Sequence, residues 1–168
     1  DIYRREIEPE RNFATFALFI MYFPQLIAGP IERARDLIPA IKLKKVFSEV
    51  NIKETLYLFI YGLFKKVVMA DSVAKISDYV FSLPEPSSSQ VILGGLAFAI
   101  QIYCDFSAYS DMAKGISSSF GIRLSTNFNL PYFSKSPAEF LARLHIKLSK
   151  WMRDYVYITL GGKFAIFF

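Results

Sequence analysis

The sequence predicts an all-α protein built as a polytopic bundle of membrane helices, and three observations carry that prediction. Two uncharged blocks of 19 residues, 13–31 and 86–104, are each long enough to cross a bilayer with a hydrocarbon layer ~30 Å thick. Apolar residues make up 53% of the chain, above the usual ~45–50%, and the excess is gathered into blocks. Aromatic residues are abundant, with 17 Phe and 10 Tyr. Tyrosine suits a membrane interface, where its ring and its hydroxyl are satisfied in different media.

The elements follow in order. Block 13–31 is a candidate membrane segment punctuated by Pro24, Gly29 and Pro30, which predict a helix break at Ala28-Gly29-Pro30. The mixed-charge stretch after it, with Glu32, Arg33, Arg35, Asp36, Lys42, Lys44 and Lys45, reads as a solvated loop with amphipathic helical pieces. The positive-inside tendency places that loop on the cytoplasmic side. The second candidate segment, 55–70, is interrupted by Lys65-Lys66. Ten uncharged residues are too few to cross a bilayer, so the lysines snorkel, face a protein-lined interior, or mark a re-entrant segment. Residues 83–89 (LPEPSSS) form a turn by composition.

The third candidate segment, 86–104, carries Gly94-Gly95, which permit close helix packing. It runs on into a stretch with Asp105, Tyr109 and Asp111. Carboxylates are costly against lipid, so they should face a bundle interior, an aqueous cavity or the interface. Residues 121–132 read as irregular. Residues 136–157 predict one helix, with Ser136 as N-cap, Pro137 at the first helical position and Glu139 three residues after the cap. On such a helix His145, Ser149 and Arg153 share a face, with Trp151 roughly opposite. Gly161-Gly162 end the pattern. All of 1–168 reads as part of a single membrane domain without internal repeats.

The net charge of +5 fits anionic headgroups and cytoplasmic loops, and no nucleic-acid motif accompanies it. The single cysteine, Cys104, excludes an intrachain disulfide and a multi-cysteine metal site within the chain, and no metal is expected. The charged opening excludes a signal peptide there. With no starting Met and a last stretch that is apolar, the sequence reads as an internal fragment of a longer protein. There is no phosphate-binding loop, dinucleotide glycine pattern, HExxH or GxSxG, so ATP use, zinc proteolysis and standard serine hydrolysis have no support.

His145, the one histidine, is the first candidate for chemistry, because an imidazole titrates near neutral pH and makes a general base. The plainer alternative is a hydrogen bond at a helix contact. Asp105 to Asp111 could bind a cation, relay protons or hold a structural network. Ser149 and Arg153 could clamp and bind an anion beside His145, or Arg153 could simply pair with Asp154 at a helix end. Tyr103, Tyr109, Tyr132, Tyr155 and Tyr157 read as interface anchors.

Five stretches together resemble one family. Residues 23–31 (FPQLIAGPI), 62–71 (GLFKKVVMAD), 101–113 (QIYCDFSAYSDMA), 127–132 (NFNLPY) and 139–162 (EFLARLHIKLSKWMRDYVYITLGG) are similar, in order, to motifs of the bacterial membrane-bound O-acyltransferases. The resemblance is nearest to the branch that O-acetylates alginate and more distant to the proteins that carry D-alanine to teichoic acid. It implies a multi-helix bundle of the bacterial inner membrane with a tunnel through it. An acyl-CoA or acyl carrier protein thioester is the implied donor, as a cosubstrate rather than a bound cofactor. A hydroxyl of an extracytoplasmic polysaccharide accepts the group, with partner acyltransferase or export proteins.

The resemblance implies that His145 is catalytic. It gives Asp105, Tyr109, Asp111, Asn129, Ser149 and Arg153 roles in lining the tunnel or binding substrate. The family's second histidine, in a WHG-type motif, is absent from this chain, so the chain alone is expected to be inactive and His145 could instead support the tunnel. Leu141 and Leu144 stand where the family has Trp, Ala142 where it has Arg, and Lys147 where a small polar residue is common. Two alternatives stay open: a channel or export subunit that hands an acyl group to a partner, and an inactive truncated homologue.

Overall fold

The computed structural model describes residues 1–26, 28–45 and 52–162. Every regular element among them is helical. The chain divides into two compact units, one formed by 52–123 and the other by 1–45 with 124–162.

The first unit is a helical hairpin. Helix α4 (Ile52–Phe64) passes through a π-helical turn (Lys65–Ala70) directly into α5 (Asp71–Ser82), so one unbroken rod leads to the bend. Helix α6 (Ser88–Ser119) returns beside it, 32 residues or ~48 Å long. The predicted turn at 83–89 is there. Ser87 closes it as the N-cap of α6, its amide donating to Gln90 Oε1 at 2.8 Å.

Close packing follows from a seam of small and polar residues on α6. Gly94, Ala97, Gln101, Cys104, Ala108, Asp111 and Gly115 recur at alternating spacings of three and four, the rhythm of a left-handed supercoil. A Cβ on Gly94 would lie 2.7 Å from Val80 Cγ1, and one on Gly62 would lie 2.7 Å from the Ala108 carbonyl oxygen. Gly95 has nothing within 4 Å, so of the expected glycine pair only Gly94 serves the contact. Phe81 and Phe98 meet edge to face at 5.8 Å, and Ser77 donates to Gln101 Oε1 at 2.6 Å. Among the described residues α6 is the one helix long and apolar enough to cross a membrane, by length and composition.

The second unit departs from two expectations. Block 13–31 is not one long helix: residues 28–30, where the break was expected, are non-helical, and a second break at Met21-Tyr22 separates α1 (Phe13–Ile20) from α2 (Phe23–Leu26). Eight residues reach only ~12 Å. Pro24 has no N–H and so fits the first turn of a new helix, which adds a break upstream of the one at the glycine. After Glu32 comes α3 (Ala34–Lys42), amphipathic, with Leu37 buried and Arg35 and Lys42 outward.

The expected helix 136–157 is likewise divided, at His145, into α7 (Pro137–Arg143) and α8 (Ile146–Met152), with a π-helical turn (Arg153–Tyr157) beyond. The predicted cap does form: the Glu139 amide donates to Ser136 Oγ at 3.2 Å, and Glu139 Oε2 receives the Lys135 N–H at 2.7 Å. Residues 124–130 are irregular, followed by a short 3-10 turn, Pro131–Phe133. Gly161 and Gly162, both at positive φ, end the last helical stretch, with the Gly162 amide on the Tyr157 carbonyl at 3.0 Å.

Candidate functional site

His145 is the residue on which α7 ends and α8 begins. Its φ of 53° and ψ of 55° are left-handed, a conformation that costs a non-glycine residue on the order of 1 kcal/mol or more. The histidine is therefore not one member of a continuous helical face. It is an N-cap, and its Nδ1 receives the Leu148 N–H at 3.4 Å, a weak hydrogen bond. The Phe128 ring lies 6.3 Å away, tilted by 41°. Burial pushes the imidazole pKa below its ordinary value, partly opposed by hydrogen bonding to its own backbone. The ring is thus neutral at neutral pH.

An irregular strand runs along this turn. The Ile146 N–H donates to the Asn127 carbonyl at 2.8 Å, and the Asn129 N–H donates to the Arg143 carbonyl at 3.0 Å. Asn127 is buried, and its Oδ1 receives the Lys147 N–H at 3.4 Å. Asn129 enters this arrangement by its backbone and is itself exposed.

Ser149 follows His145 by one turn, its N–H donating to the His145 carbonyl at 3.1 Å. Ser149 Oγ donates back to the Leu141 carbonyl at 3.2 Å, across the break between the helices. Arg153 Nε pairs with Asp154 Oδ1 at 2.8 Å, the helix-end ion pair left open by the sequence. Arg33 also pairs with Asp154, and its guanidinium carbon stands 5.6 Å from the centre of the Tyr155 ring. Arg153 first, and Arg33 with it, hold the Asp154 carboxyl down to about 2. Trp151 packs at 5.3 Å on Tyr155. Arg33, Tyr155, Trp151, Gln25 and Glu32 border a cavity of about 690 Å³, and His145 is not in its wall.

Asp105, Tyr109 and Asp111 belong to the hairpin. Lys65 Nζ pairs with Asp111 Oδ2 at 2.5 Å, donates to Ser107 Oγ at 3.0 Å and lies 4.9 Å from the centre of the Tyr61 ring. Lys66 Nζ pairs with Asp105 Oδ1 at 2.8 Å and Asp71 Oδ1 at 2.9 Å. Of the readings open for these lysines, the structure shows the protein-lined one for Lys65, which is buried; Lys66 is half-exposed. Tyr109 sits half-buried on α6 between the two carboxylates. Among the described residues no three His, Cys, Asp or Glu groups are gathered to hold a metal ion.

Two participants escaped the sequence reading. Glu32 looked like part of a solvated loop, yet it is buried. Its Oε1 receives the Ser125 N–H at 2.6 Å, and its Oε2 receives Lys147 Nζ at 2.9 Å. Asn127 looked like loop composition. Neither had a local signal, because their partners are more than 15 residues away in the chain; Asn127 was marked only by its place inside a resembling motif, and Glu32 stands just after one.

Comparison with known proteins matches residues 7–167 to the profile of MBOAT, the membrane-bound O-acyltransferase family. The chain belongs to this family. It is 46% identical over 162 residues to a probable alginate O-acetylase, AlgI, of Azotobacter vinelandii, covering 96% of this chain and 32% of that protein. It is 43% identical over 154 residues to a peptidoglycan O-acetyltransferase of Helicobacter pylori, covering 90% and 29%. It is 32% identical over 149 residues to a teichoic acid D-alanyltransferase of Bacillus subtilis, covering 83% and 36%. The chain thus spans about a third of the length of these relatives. Within this MBOAT chain, the left-handed His145 falls in the fifth resembling stretch and the Lys65–Asp111 pair joins the second to the third.

Proposed function

We propose that the protein carrying this chain is a multi-pass acyltransferase of the bacterial inner membrane. It transfers an acyl group, acetyl in the reading favoured by its alginate and peptidoglycan relatives, to a hydroxyl of an extracytoplasmic polysaccharide. The observation that carries the proposal is the family match over nearly the whole chain, at 46% identity to an alginate O-acetylase.

His145 supplies the base. A hydroxyl of the acceptor displaces the Leu148 amide from Nδ1, and that displacement is easy because the contact is long. As the hydroxyl oxygen attacks the thioester carbonyl, its proton passes to the imidazole. The tetrahedral intermediate collapses, the carbon–sulfur bond breaks, and the departing thiolate takes the proton back. The lowered pKa keeps the ring ready as a base at neutral pH. The donor is an acyl-CoA or acyl carrier protein thioester. Partner export or acyltransferase proteins receive or present the polymer. Asp105, Tyr109 and Asp111 serve the hairpin of the tunnel wall rather than the reacting atoms.

The test is His145→Asn in the full-length protein. Asparagine tolerates the left-handed backbone, so the fold is spared the strain that alanine would keep. Ester-linked acyl groups on the extracted polysaccharide should fall sharply at unchanged protein level in the membrane. Wild-type acylation would remove His145 from the mechanism. The channel reading, in which an acyl group is handed to a partner, draws on the charges in the hairpin, but Lys65 and Asp111 neutralise one another, which favours a structural tie over a path lining.

A further inference from the structure

We propose that Glu32 is a positioning residue for His145, acting through Lys147 and Ser125; this rests on His145 being the base. The strained histidine backbone persists only if its surroundings hold it there. Both sides of the turn are tied to one strand: Arg143 and Ile146 bond to Asn129 and Asn127 through their backbones. That strand is in turn anchored by Glu32. One carboxylate oxygen holds the Ser125 amide two residues before Asn127, and the other holds the ammonium of Lys147, two residues after His145.

The carboxylate therefore grips both chains that meet at the histidine. It can do so firmly because its side chain is only 5% exposed, and that of Lys147 19%, so water competes weakly for either. Lys147 departs from the small polar residue of the motif, and the pair gives that departure a purpose. Glu32 itself touches neither the imidazole nor any reacting atom, so it acts through geometry alone. A displacement of about 1 Å at a catalytic group is enough to cost on the order of 100-fold in rate.

The experiment uses the full-length protein in native membranes with four variants. Glu32→Gln keeps an acceptor for Ser125 but drops the charge. Lys147→Met removes the partner, Lys147→Arg preserves it, and Glu32→Gln/Lys147→Met removes both charges. Two readouts are taken: acylation of the polysaccharide, and the rate at which diethyl pyrocarbonate modifies His145, followed by peptide mass spectrometry against a reference lysine.

We expect Glu32→Gln and Lys147→Met each to raise the labelling rate of His145 and to lower acylation on the order of tenfold. Lys147→Arg should restore both, and the double variant should be no worse than either single one. A labelling rate unchanged in both single variants overturns the proposal, whatever acylation does. Altered labelling with full acylation keeps the clamp but overturns the reading of His145 as the base. If Glu32→Gln does not accumulate, Lys147→Met against Lys147→Arg decides alone, since Lys147 is the more accessible partner.

Discussion

Lys65 and Asp111 meet across the hairpin at 2.5 Å, and the lysine is buried against the Tyr61 ring and Ser107. Removing one partner leaves the other charge uncompensated in an apolar setting, a loss of about 3 kcal/mol for a buried pair. Lys65→Met should therefore lower the unfolding midpoint of the detergent-solubilised protein markedly. Lys65→Met with Asp111→Leu should recover much of the loss. A double variant whose loss equals the sum of the Lys65→Met and Asp111→Leu losses would show that the pair is not coupled.

The two adjacent glycines of α6 should behave oppositely. Gly94→Ala places a Cβ at 2.7 Å from Val80 and should destabilise the hairpin by about 1–3 kcal/mol. Gly95→Ala meets open space and should be neutral or stabilising by up to ~1 kcal/mol from helix propensity. Thermal unfolding of both variants checks the contrast.

Acid should act through His145 in a definite direction. Its pKa is lowered in the folded protein, so the unfolded chain binds more protons in the window just below the ordinary histidine value of ~6.5. Stability from this group is complete above that value and is lost as pH falls toward the lowered folded pKa. His145→Asn should flatten that part of the stability curve. Acylation by the wild type should fall over the lower end of the same window, as the base becomes protonated. An acylation profile flat across it would contradict a histidine base.

Asp154 defines a second window. With its pKa held to about 2, its contribution is present above the ordinary aspartate value of ~4 and disappears as pH drops toward 2. Asp154→Asn should abolish that acid transition without changing the one that belongs to His145. A denaturation series at stepped pH separates the two.

Replacing Ser136 with Ala removes the acceptor for the Glu139 amide and should cost about 1 kcal/mol. Ser136→Asp should retain the cap. The helix signal of the protein and its unfolding midpoint together report the outcome.

Much was legible in the residues because it is local. The Ser136-Pro137 start, the 83–89 turn, the irregular 121–132 stretch and the Gly161-Gly162 stop each rest on chemistry within a few positions. The family resemblance was legible for a different reason, since five ordered motifs cover most of the chain. The helix breaks at Met21-Tyr22 and at His145 were not. Pro24 lies two residues past the first break and pointed no more to it than to the Gly29-Pro30 pair, and the pattern around His145 is helical on both sides.

The sequence alone therefore determined the helical class, the family, and which histidine to watch. These depend on side-chain type and spacing along one segment. Tertiary structure alone decided that His145 sits in a left-handed cap, that Lys65 is buried against Asp111, and that Glu32 is a buried anchor rather than a loop residue. Each of these depends on a partner far along the chain, and burial by such a partner can outweigh local preference by more than the ~1 kcal/mol that a helix or turn propensity supplies.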